Sequence, residues 1–231
     1  MGTRAAYGFI IDGKEKVTYN HSDGYLDGLG INLLNQLNGV WLEYMEETVR
    51  NVILIENDEE IVTEQSIIDE LQDYTYDRRE GGKTWYSLLR GSQGNIVCYA
   101  CDEPLKYMID GKDFLYNSLF CEYAYIINFD TGMFEFYEGF NKDPNAAGRY
   151  AKIPEGSKDN DYYGVKFIGE TPLKAIVTAS KDDIVEYVSK IKNFLGEEDV
   201  YEDEDGNEIV QPRIEKFPIW VYQEQLELEL E

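Results

Sequence analysis

The sequence predicts an α+β fold, a mostly antiparallel sheet built from hairpins with several packed helices. Three observations predict it. Runs rich in aromatic and β-branched residues come in pairs around Asp-Gly or Asp-Thr-Gly, which is how hairpins read. Between them lie segments whose apolar residues recur every three or four positions, the helical period. The 231 residues are 43% hydrophobic and 14% aromatic, and a chain of this size buries about 70% of its unfolded surface. No internal repeat or long linker divides it, so residues 1–231 read as one α+β domain with an acidic C-terminal portion, 196–231.

The elements follow in order. In "YGFIIDGKEKVTYN" (7–20), Tyr7, Phe9 and Ile11 alternate with Gly8 and Ile10, and Asp12-Gly13 is a turn dipeptide, so this is a hairpin. After the only histidine, His21, comes the glycine-rich loop "DGYLDGLG" (23–30). Its glycines are expected to supply positive φ at a strand-to-helix corner. From about Ile31 an amphipathic helix places Leu33, Leu34, Leu37, Trp41, Tyr44 and Met45 on one side, bent at Gly39. A second helix in "TEQSIIDELQDYTYDR" turns Ile67, Ile68 and Leu71 inward with Thr63 as its cap. "TWYSLLRGSQGNIVCYACDEPL" reads as helical around Gly91 and Gly94 and ends at Pro104. "FCEYAYIINFDTGMFEFYEGF" is the clearest hairpin, turning at Asp130-Thr131-Gly132, and "YYGVKFIGETPL" is a further strand. Ser180 with Asp183 three residues on starts a helix whose Ile184, Val188, Ile191 and Leu195 share a face, and Gly196 stops it. A last hairpin turns at Asp205-Gly206, and "FPIWVY" is expected as a closing strand.

Charge narrows the function classes. With 46 acids against 21 bases the net charge is −25. That removes the usual route to direct nucleic-acid binding, in which Lys and Arg neutralise phosphates, and the route to an anionic membrane surface. The imbalance is local: residues 196–231 hold thirteen acids and two bases, residues 1–50 seven and four. The densest run is 197–205, where Glu197, Glu198, Asp199, Glu202, Asp203, Glu204 and Asp205 are acidic. No run approaches the ~18 apolar residues of a membrane helix. The start has no charged region followed by an apolar core, and three cysteines are an odd number for a disulfide framework. A cytoplasmic location is expected.

Candidate chemistry is sparse. The loop residues His21, Asp23, Tyr25 and Asp27 form a candidate ligand loop; Asp23 and Asp27 would repel a phosphate there, so a cation, a polar small molecule or a protein suits it better. Cys98, Cys101 and Cys121 with His21 can be counted as a zinc set, yet "CYAC" has no second close pair and Cys121 alternates like a strand core residue. Buried thiols, and no metal, are expected. Thr3 would be an N-terminal nucleophile only after loss of Met1 and Gly2, with Arg4 and Asp23 orienting substrate. There is no GxSxG, HExxH or phosphate loop, and no cofactor is expected.

The stretches "MGTRAAYGFIIDGKEKVTYNHSDGYLDGLG", "FLYNSLFCEYAYIINFDTGMFEFYEGFNKDPNAAGRYA", "YYGVKF" and "TPLKAI" resemble a family of uncharacterised bacterial and phage proteins. That family opens on Met-Gly-Thr-Arg, then a Tyr-rich strand and an Asp-Gly-Tyr…Gly loop. The resemblance runs to about residue 178 and implies a bacterial or phage setting, without an activity. Charge and setting together lead to one expectation. The chain is an acidic protein-binding factor, phage- or mobile-element-encoded, that inhibits a basic nucleic-acid-handling host defence protein by charge mimicry through the 197–205 cluster. The alternatives are a hydrolase of N-terminal-nucleophile type and a small-molecule sponge.

Overall fold

The computed structural model describes residues 2–75, 83–152, 161–196, 200–202, 208–210, 214–218 and 220. In chain order the elements are β1 (Ala5–Ile11), β2 (Lys14–Asn20), α1 (Ile31–Leu37), α2 (Leu42–Asn51), β3 (Ile53–Ile55), α3 (Gln65–Glu70), α4 (Trp85–Leu89), β4 (Tyr107–Ile109), β5 (Tyr123–Asn128), β6 (Met133–Glu138), β7 (Lys166–Pro172), α5 (Leu173–Thr178), α6 (Lys181–Leu195), β8 (Val200–Glu202) and β9 (Glu208–Val210). The fold is α+β: a five-stranded sheet of order β2-β1-β5-β6-β7 carries the helices. Every neighbouring pair is antiparallel except β1 and β5.

Both predicted N-terminal and central hairpins form. Asp12 and Gly13 take φ of 51° and 70°, the left-handed geometry of a tight hairpin turn. The two hairpins are joined side by side, because β1 runs parallel to β5 from Ala5–Tyr123 to Ile10–Asn128. The Asp130 carboxylate locks the junction by accepting from the Asp12 and Gly13 backbone N–H groups at 2.7 and 2.8 Å. Strand β1 is buried at all seven positions, as a strand covered on both faces must be.

One face carries Ala5, Tyr7, Phe9, Ile11, Tyr125, Ile127, Phe134 and Phe136, packed under residues of α1, α2, α5 and α6. The other carries Ala6, Ile10, Val17, Ala124, Ile126 and Tyr137 under Leu115, Cys121, Tyr150 and Val165. Lys16 is a buried exception on the helical side. Its ammonium donates to the carbonyls of Arg50 and Val52 at 3.0 and 2.6 Å, so it caps the last turn of α2, where a cation is favoured by the helix dipole.

Several local expectations change. The long helix bent at Gly39 is two helices, because Gly39 takes φ 75° and stops the first outright. Thr63 does not cap the second predicted helix; Glu64 stands at the N-cap of α3 without a side-chain bond. Helix α6 forms with Ser180 and Asp183 as a reciprocal capping box and with Gly196 left-handed at its end. The last hairpin pairs as β8 and β9, its Asp205-Gly206 turn lying outside the described residues. In the expected closing strand, whose residues 219, 221 and 222 lie outside the described residues, Phe217, Pro218 and Trp220 adopt no strand; Phe217 meets Tyr187 of α6 edge-on and Trp220 packs tilted against it. Apolar contact with a helix outweighs ladder pairing there, since Pro218 has no N–H to donate.

Candidate functional site

The glycine-rich loop turns a corner. Residues Leu26–Gly30 form one π-helical turn that runs straight into α1. Its glycines do not take positive φ; Asp23, at φ 55°, does. The glycines are needed for space. A Cβ on Gly24 would stand 2.7 Å from Ala5 Cβ, and one on Gly28 would stand 2.4 Å from the Asp23 carbonyl oxygen. That oxygen accepts from Leu29 N–H at 2.7 Å, and Tyr125 hydroxyl donates to the Gly24 carbonyl at 3.0 Å. The N–H groups of Gly24, Gly28, Leu29 and Gly30 are thus occupied by the fold.

The structure separates the candidate ligand loop. Asp27 pairs with Lys192 of α6 at 2.9 Å, and Tyr25 is exposed. His21 faces another way. Its Nδ1 is hydrogen-bonded to the Tyr19 hydroxyl at 3.0 Å, and its backbone N–H donates to Gln93 Oε1 at 3.2 Å. Gln93 and its neighbour Arg90 come from a segment some seventy residues downstream, and no local signal in the sequence connects them to His21. Thr3 is half-buried; its carbonyl accepts from Gly24 N–H at 2.9 Å, and its hydroxyl makes no hydrogen bond among the described residues.

The cysteines occupy different places. Cys98 lies in the core on the helical face and Cys121 in the core on the opposite face, so the sheet stands between them. Their thiols donate to the carbonyls of Asn95 and Tyr123, at 2.8 and 3.4 Å. Burial pushes both thiols well above the ordinary range, and it is the thiolate that reacts. Cys101 is only half-buried. A thiol-alkylating reagent at pH 8 should therefore modify Cys101 and spare Cys98 and Cys121 until the protein unfolds. Intact mass before and after denaturant counts the adducts; two or three on the native protein would refute this.

Of the acidic cluster, Glu197, Glu198, Asp199, Asp203, Glu204 and Asp205 lie outside the described residues, and only the backbone of Glu202 is described, in β8. A second acidic surface is described. From Glu56 to Asp73 the chain carries eight acids and no base, and all but Asp58 are exposed. Within it only Glu70 is paired among the described residues, with Lys106 at 2.8 Å, whereas on α2 Arg50 gathers Asp12, Glu46 and Glu47. The largest exposed apolar side chain is Trp41, 71% exposed at the N-cap of α2. It stacks on Tyr44, with ring centroids 6.2 Å apart, and the Tyr44 hydroxyl donates to the Cys101 carbonyl at 3.0 Å. Glu43, next to Tyr44 in the chain, and Asp102 and Glu103, which follow Cys101, are exposed.

Among the described residues no helix is long and apolar enough to cross a membrane, and no group of three or more His, Cys, Asp or Glu is placed to hold a metal ion. Comparison with family models, with curated proteins and with solved structures finds no match to this chain.

Proposed function

We propose that the protein is an acidic binding factor, phage- or mobile-element-encoded, that inhibits a basic nucleic-acid-handling protein of the host's defence by charge mimicry. The observation that carries this reading is Trp41, 71% exposed and stacked on Tyr44, at the start of a helix whose Glu43, Glu46 and Glu47 are acidic. Burying such a ring removes about 150–250 Å² from water, and Trp is the residue type most enriched in binding hot spots. A partner that covers it must tolerate carboxylates at the rim, which selects a basic surface. The net charge of −25 speeds encounter with such a partner by long-range attraction. In this reading the carboxylates of the 197–205 run and of the 56–73 stretch substitute for nucleic-acid phosphates.

Steering and anchoring are separable. The Debye length falls from about 30 Å at 0.01 M salt to about 8 Å at 0.15 M, so the steering weakens with salt while the apolar anchor persists. Capture from a bacterial lysate at these two salt levels tests both. Trp41→Ala should weaken retention of the partner by about 2 kcal/mol or more at both levels, the size of a hot spot. Neutralising the seven acids of 197–205 to Gln and Asn should weaken it mainly at low salt. If no basic protein is retained, or if neither variant alters retention, the proposal fails.

A further inference from the structure

In a chain of net charge −25, two arginines have no acidic partner among the described residues: Arg4 and Arg90. They stand at the same end of the sheet. Strand β1 pairs Ala5 with Asn20 and Ala6 with Tyr19, so the next step of that register sets Arg4 beside His21. Alternation along the strands then puts Arg4, Tyr19 and His21 on one face. Arg90 reaches the same place, since its Nη1 and the His21 backbone N–H both donate to Gln93 Oε1. Each guanidinium lies over an aromatic ring, Arg4 over Phe120 at 4.7 Å and Arg90 over Tyr86 at 5.8 Å. Stacking fixes the plane of a guanidinium and leaves its edge N–H groups to face a ligand.

Arg4 is also incompletely satisfied. Its Nε is buried without a hydrogen-bond partner. Glu122 accepts from the Arg4 backbone N–H at 3.2 Å, and no acid among the described residues pairs with the Arg4 guanidinium. A partly desolvated cation without a counter-charge is costly, and an anion at the guanidinium edge would remove that cost. The Tyr19 hydroxyl shares this field. Burial pushes its phenol upward, and the nearby charges of Arg4 and Arg90 act against that shift.

We propose that Arg4 and Arg90, with Tyr19 and His21 between them, form a recognition site for the phosphate monoester of a small ligand. Two guanidiniums match a dianion, as a phosphate monoester nearly is at pH 7, better than they match a single carboxylate. Their forked donors suit its oxygens. Asp27, which would have opposed an anion, is taken up by Lys192, which leaves Asp23 as the exposed acid of the adjoining loop. At physiological salt the rest of the protein's negative charge is screened beyond about 8 Å, so the local pair of cations decides.

Calorimetric titration of the full chain with inorganic phosphate, with phenyl phosphate and with benzoate tests the site. Saturable binding of phenyl phosphate is expected below about 10 mM, with weaker binding of benzoate. Arg90→Gln and Arg4→Gln should each weaken it by about tenfold or more, the effect of losing a charge-assisted hydrogen bond. Arg90 is partly exposed and outside the sheet, so its variant keeps the test open if Arg4→Gln fails to fold. Lys142→Gln, whose ammonium lies over Tyr162 instead, should bind as wild type. The proposal is overturned by the absence of saturable phosphate binding, by benzoate binding as tightly as phenyl phosphate, or by Arg90→Gln binding unchanged.

Discussion

Phe136→Ala is expected to lower folding stability by about 4 kcal/mol, the upper range for emptying an aromatic site in a core. Phe136 is fully buried at the centre of the helical face of the sheet. Its ring meets Phe134 at 4.9 Å, Phe217 at 5.6 Å, Tyr125 at 6.2 Å and Tyr187 at 6.4 Å, so strands β5 and β6, helix α6 and the 214–220 segment all rest on it. Alanine leaves a cavity that these elements cannot jointly close, because the sheet positions are tied by their ladders. Against a typical total of about 5–15 kcal/mol, this loss is severe. Urea denaturation measures it, with Val185→Ala on the exposed side of α6 as a comparison expected within about 0.5 kcal/mol of wild type. A loss under about 1.5 kcal/mol at Phe136 would mean that the aromatic cluster is not the keystone described.

Glu135→Ala should be the next most damaging, by about 3 kcal/mol, the size of breaking a buried charged network. Glu135 is 1% exposed in the middle of β6. Its Oε1 accepts from Asn128 at 2.7 Å and from Arg149 at 2.5 Å, and its Oε2 accepts from the Tyr137 hydroxyl at 2.7 Å. Removing the carboxylate orphans Asn128 and Tyr137, both of them buried. Arg149 contributes less, since its side chain is 38% exposed and water can take it up. Burial and the Glu135 carboxylate together push the Tyr137 phenol upward, so it remains a donor across the working pH range. Glu135→Gln keeps one acceptor oxygen for Asn128, and its amide N–H faces the Tyr137 hydroxyl, which can turn to accept, so it should cost about half as much. The expected order in urea is wild type, Glu135→Gln, Glu135→Ala; equal losses for the two variants would show that charge alone matters.

The candidate sites were legible to different degrees. The acidic run of 197–205 is a matter of composition and is read directly. His21 was singled out with the loop that follows it, yet its actual partners are Tyr19, two residues back, and Gln93, brought by a distant segment. The three- and four-residue spacing of Trp41 places it on the inner side of a helix. It is exposed because Gly39 breaks that helix and restarts the phase. Alternation along β6 cannot say whether the face that carries Glu135 is solvent or another core.

By itself the sequence determined the pieces whose signals fit within a few residues. These are the two hairpins with their turns, helix α6 between its Ser180–Asp183 box and Gly196, and the α+β class that follows from them. Backbone geometry, capping and side-chain period act over one turn or one pleat, so local residues suffice. Only the tertiary structure decided that β1 lies parallel to β5, which buries β1 on both faces. It also decided that the loop glycines serve close approach to Ala5 and Asp23, and that His21 and Arg90 share Gln93. Those outcomes depend on which open strand edges and apolar faces find each other across more than a hundred residues of chain. That choice is set by burying the most apolar surface with every backbone group paired, a property of the whole fold.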